Sequence, residues 1–159
     1  MATLAANAHR KTGSGVRSHY PVIAADIIFM GAAVGLLLAS GYARPLVGGD
    51  DFRGFAIAKV DNSAGSAADL NVEVLDRGTV ELAVAGAVIT DVGQPVYATD
   101  DDTFVFSPVG GSFVGTVSRF VSAGVVDVEF NVDSIVDPWG FGPVEAIPGA
   151  KTLDVQDAG

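Results

Sequence analysis

The chain has 159 residues, 49% hydrophobic and 18% charged, with a formal net charge of −10 at pH 7 and no cysteine. Its length suits one domain with tails, and its low charged fraction excludes a disordered polymer. The acidic balance argues against general nucleic-acid affinity, because phosphates need basic partners; without cysteine there is no disulfide framework, thiolate metal site or cysteine nucleophile.

Residues 1–21 are rich in Ala, Ser and Gly and hold Arg10, Lys11 and Arg17 ahead of the first acid, Asp26. They read as an extended basic arm on an acidic body, either docking on an acidic surface or standing as a solvated terminus. Residues 22–39 are apolar, but Asp26 interrupts them and leaves too short a run to span a membrane. A signal peptide is likewise not expected, and the segment is read as retained.

From residue 22 the pattern is mostly period two, broken by Gly or Asp every eight to twelve residues or so, which predicts an all-β barrel or sandwich. Strands are expected over residues 22–29, 33–38, 42–47 and 52–60, then after a small-residue loop over 70–75. Asp76-Arg77-Gly78 reads as a hairpin turn, with Val80, Leu82 and Val84 giving the return strand its inner face. Residues 32–39 are the best helical candidate, weakened by Gly35.

Residues 91–106 (Asp-Val-Gly-Gln-Pro-Val-Tyr-Ala-Thr-Asp-Asp-Asp-Thr-Phe-Val-Phe) read as turn, strand, acidic turn, strand. Pro95 suits a strand's first residue, Gly93 a tight turn, and Phe104 and Phe106 share a face. Further strands are expected over 114–121 and 125–132. In the last, Val126, Val128, Phe130 and Val132 oppose Asp127, Glu129 and Asn131. Residues 133–159 read as an irregular extension containing Trp139 and Phe141, which either anchor an interface or cap the domain's own open end.

Reagents for catalysis are poorly placed. His9 and His19 lie in the arm, and no H-E-x-x-H or phosphate-cradling glycine motif occurs. Glu73 and Glu81, read as neighbours on adjacent strands, fall on the polar face. Asp100-Asp101-Asp102 reads as a solvated hairpin tip, with a weak Ca²⁺ site shared between subunits as the other reading. No enzyme, cofactor or resident metal is expected.

Six pieces in order, Ile27-Ile-Phe-Met-Gly-Ala-Ala-Val, Ser40-Gly-Tyr-Ala-Arg-Pro, Phe55-Ala-Ile-Ala, Val72-Glu-Val-Leu-Asp-Arg-Gly-Thr-Val-Glu-Leu, Asp91-Val-Gly-Gln-Pro-Val-Tyr and Val114-Gly-Thr-Val, resemble small tailed-phage capsid decoration, or cement, proteins. The sharpest is the D-x-G-x-P-V-Y turn before the acidic turn. The resemblance implies a small β-barrel-like domain at residues 22–132 on the outer capsid surface. It also implies major capsid protein as partner and self-association as a homotrimer; the acidic charge and the short apolar run predict no nucleic-acid or membrane partner. Expected capsid or subunit contacts are Arg10, Lys11, Arg17, Tyr20, Trp139 and Phe141. The alternative function is a phage surface β-domain that binds host carbohydrate.

Overall fold

The computed structural model describes residues 3–10, 12 and 16–132. Alternating side chains punctuated by turns give these residues twelve strands. They are β1 (Arg17–Pro21), β2 (Ile27–Ile28), β3 (Ala33–Leu36), β4 (Ala43–Pro45), β5 (Asp51–Ala56) and β6 (Val60–Asp61). There follow β7 (Asn71–Leu75), β8 (Arg77–Ala83), β9 (Pro95–Ala98), β10 (Phe104–Val105), β11 (Ser112–Ser122) and β12 (Val125–Asn131). A 3₁₀ turn, Ile89–Asp91, lies between β8 and β9.

The first sheet runs β1-β7-β5-β3-β4 and the second β10-β9-β11-β12-β8, with β2 and β6 as a small pair. The named strand pairs are antiparallel. In each large sheet a single parallel bridge draws the outer strands together, Val22 to Ala43 and Val84 to Phe104. One bridge does not close a barrel, so the architecture is a sandwich of curled sheets. Curling covers edges that would otherwise offer unpaired backbone.

The main core lies between the sheets. Val80, Leu82 and Val84 face it from one side of the second sheet, with Val126, Val128 and Phe130, as their alternation predicts. Ala33, Phe52, Phe55 and Leu75 answer from the first sheet. Phe52, Phe55 and Phe130 meet edge-on at centroid separations of 5.1–6.0 Å, an arrangement worth about 0.5–1.5 kcal/mol per pair beyond burial. The opposite face of the first sheet supplies a second core of Val34, Ala56, Val72 and Val74, closed by Val22, Ile28 and Ala43.

Several sequence expectations are corrected. Residues 76–78 do not turn a hairpin: β7 belongs to the first sheet and β8 to the second, so Asp76 marks a corner where the chain changes sheets. Accordingly Glu73 and Glu81 are not neighbours. Glu73 lies opposite His19, and Glu81 opposite Asp127. The expected strand over residues 22–29 is interrupted at Ala25 (φ 59°), and that over 52–60 divides into β5 and β6. The helical candidate at 32–39 contains β3, where Ala33 and Val34 face opposite cores.

The largest difference is at the N-terminus. Residues 17–21, expected in a free arm, form β1 and pair with β7 from Arg17↔Leu75 to Pro21↔Asn71. The same register extends beyond the corner through the Asp76 N–H to Val16 carbonyl bond (2.8 Å) and the Thr12↔Val80 bridge. The segment's described residues therefore contact both sheets, Arg17–Pro21 on β7 and Thr12 on β8. Its alternation is weak because a partner strand on one side, rather than a core beneath it, supplies much of its hold.

Candidate functional site

The acidic turn and the N-terminal strap form the most elaborate polar site. β9 and β10 pair as a hairpin, Phe104↔Ala98 and Val105↔Tyr97, so residues 99–103 are its tip. Pro95 opens β9, where its missing N–H costs little, and Gly93 takes φ 92° in the turn before it.

The tip is not solvated as its composition suggests: Asp100 is 2% exposed and Asp101 1%. Two neighbouring segments cover it. From one side Val47 bridges Asp100 and the Gly48 N–H donates to the Thr99 carbonyl at 3.0 Å. A Cβ on Gly48 would lie 2.0 Å from the Gly110 carbonyl oxygen, so only glycine admits this approach. From the other side, residues 3–10 lie across the turn as a strap.

Each carboxylate has a different role. Asp100 accepts the Asp102 N–H at 2.9 Å and the Thr103 hydroxyl at 3.1 Å, stabilising the turn itself. Asp101 accepts the Leu4 N–H at 3.2 Å, while its carbonyl accepts the Ala33 N–H at 3.0 Å. Asp102 pairs with the Arg10 guanidinium at 2.6 Å. The side chains are thus turned to separate partners, and no group of three His, Asp or Glu among the described residues is arranged to hold a metal.

Arg10, expected as an exposed docking group, is instead an internal anchor. Its side chain is 12% exposed, its Nε–H donates to the Gly31 carbonyl, and its guanidinium carbon lies 5.3 Å from the Phe104 ring centroid. Beside it the Ala8 N–H bonds the Met30 carbonyl at 2.8 Å. A Cβ on Gly31 (φ 87°) would fall 1.9 Å from the Ala8 carbonyl oxygen, so that glycine lets the strap lie flat. Burial pushes the Asp101 carboxyl up to about 6; the neighbouring Asp100 and Asp102 charges add to this and the Leu4 N–H opposes it.

A cleft of about 510 Å³ adjoins the turn, with Thr3, Leu4, Phe29, Arg44 and Asp101 in its walls. Arg44 makes two 2.8 Å bonds to Asp50, and this hydrogen bonding raises its pKa against the effect of burial. Asp50 is in turn bound through its carbonyl to the Ser112 hydroxyl.

Two other expected contact residues lie on β1. Arg17 is largely exposed on β1, 3.5 Å from Glu73, and Tyr20 is half-buried against the second core. Lys11, Trp139 and Phe141 lie outside the described residues.

Sequence reading missed a second surface. Around the 3₁₀ turn, Val88, Ile89 and Val92 are 50%, 68% and 52% exposed. The loop is held in shape: Asp91 accepts the Val88 N–H at 2.8 Å, and the Gly93 N–H reaches the Val117 carbonyl at 2.8 Å. It also adjoins the β11–β12 hairpin through the Gly124 N–H to Ala87 carbonyl bond. The available signal was the uncharged run of residues 82–90.

The fold and these surfaces define an all-β, two-sheet domain with an internal polar clasp and an exposed apolar loop. No family model matches the sequence, and no curated protein matches it. A solved structure that matches is the head fiber gp8.5 N base of bacteriophage phi29. The TM-score is 0.45 at 14% identity, covering 77% of this chain and 100% of that one.

Proposed function

We propose that this chain is a virion structural protein that binds the outside of a phage capsid and cements neighbouring major capsid subunits, without enzymatic activity. The observation that carries the reading is residues 91–106. The segment that most resembles decoration proteins folds as turn, β9, acidic turn and β10, with Phe104 in the main core. The resemblance therefore rests on a framework element of the domain.

The exposed Val88, Ile89 and Val92 offer a contact surface of the kind such a role needs, because apolar side chains on a rigid loop lose little entropy on docking. A protein that binds only the assembled lattice stabilises it by mass action, and many copies multiply the effect. Homotrimer formation and attachment through Lys11, Arg17, Tyr20, Trp139 or Phe141 belong to the same proposal. Co-sedimentation with purified expanded heads and with proheads tests it. Binding to expanded heads alone is expected; binding to neither would remove the cement reading.

A further inference from the structure

The strap is attached to the body by few bonds, and a group that resists charge lies beneath it. Within residues 3–10 the polar hold consists of the Leu4 N–H on Asp101, the Ala8 and Asn7 bonds to Met30, and Arg10 on Gly31 and Asp102, with Leu4 packed on the second core and Arg10 over Phe55 and Phe104. No residue of the strap belongs to a strand. β12, by contrast, is paired on both sides, with β11 and β8.

Several charged groups lie near Asp101. Asp100 and Asp102 flank it in the turn, Arg10 reaches the turn from the strap, and Asp26 and Arg44 share the adjoining cleft. The two cations are bound elsewhere, Arg10 to Asp102 and Arg44 to Asp50. An ionised Asp101 under the strap therefore lacks a cation of its own among these groups, whereas lifting the strap returns its carboxylate to water.

The geometry points to a releasable clasp: the strap of residues 3–10 opens from the acidic turn as Asp101 ionises, while the two-sheet body stays folded. Opening uncovers the faces of Phe55 and Phe104 over which Arg10 lies, so this apolar surface is exposed more often in neutral than in acidic solution. The device is independent of the capsid proposal and acts in the isolated chain.

Amide hydrogen exchange of the full chain at about pH 5 and about pH 7.5, corrected for intrinsic rates, tests it. With Asp101 at about 6 when covered and 3.8 when free, protection of the Leu4 and Ala8 amides should fall about tenfold between the two conditions. At both, it should stay well below that of Val126 and Val128 in β12. Asp101→Asn keeps an acceptor for the Leu4 N–H and should abolish the pH dependence. Asp102→Asn should loosen the strap at both values while keeping the pH dependence. The clasp is overturned by equal protection at the two pH values, by a dependence that survives Asp101→Asn, or by strap amides that exchange no faster than those of β12.

Discussion

At 1% exposure, with an acid on either side, Asp101 gives up its proton reluctantly. Its folded value of about 6 lies above the ordinary 3.8, so folding favours the protonated form. That stabilisation is complete below about pH 4, declines as pH rises, and is lost above about pH 6. The gap between the values corresponds to about 3 kcal/mol. Asp101→Asn, which cannot ionise, should therefore raise unfolding free energy by about 2–3 kcal/mol at pH 7.5 and by roughly half as much near pH 5. Urea denaturation at the two values measures both. A pH-independent gain would mean that Asp101 is ordinary and the stabilisation has another source.

Among elements, β1 has the greatest consequence for its length. It covers the outer edge of β7 and sends the Ser18 hydroxyl to Asp76 at 2.7 Å, and ahead of it Thr12 bridges Val80. Asp76 is 3% exposed, and its other carboxylate oxygen is buried without a partner among the described residues. Removing the Ser18 hydroxyl would take from the buried carboxylate the partner of its second oxygen, a change that costs about 1–3 kcal/mol or more. Deleting residues 1–21 also bares the edge above Val72 and Val74 and removes Arg10 from Phe104. The truncated chain is expected to lose its cooperative thermal transition. A truncated chain that melts as sharply as the full one, followed by circular dichroism, would restore these residues to the status of a dispensable arm.

For the molecule as a whole, charge decides where another acidic surface can approach. Residues 26–159 carry six basic and nineteen acidic side chains, yet residues 82–90 and 120–126 are uncharged and meet at the Gly124–Ala87 bond. Contact there avoids the repulsion that the rest of the body imposes. Ile89, at 68% exposure, can change without disturbing either core. Ile89→Lys is expected to leave the melting temperature unchanged and lower occupancy on expanded heads about tenfold or more, the loss of a buried anchor of about 1.4 kcal/mol or above. Quantitative gel densitometry of sedimented particles reads the occupancy. Undiminished binding would direct attention to the other proposed contacts.

The sequence alone determined the features governed by local rules. Side chains two apart share a strand face, so Val126, Val128 and Phe130 could be assigned to the core before any partner was known. Proline at a strand start and glycine in a turn likewise made residues 91–106 legible. Tertiary structure decided what depends on distant chain. Asp76-Arg77-Gly78 has hairpin composition, yet β7 and β8 found other partners and the segment became a corner between sheets. The strap and acidic turn show the same dependence. Arg10 and Asp102 are 92 residues apart in sequence, and nothing local to either indicates burial. Only the close passage of the strap over Gly31 and Phe104 turns an exposed basic arm and a solvated acidic tip into one covered site.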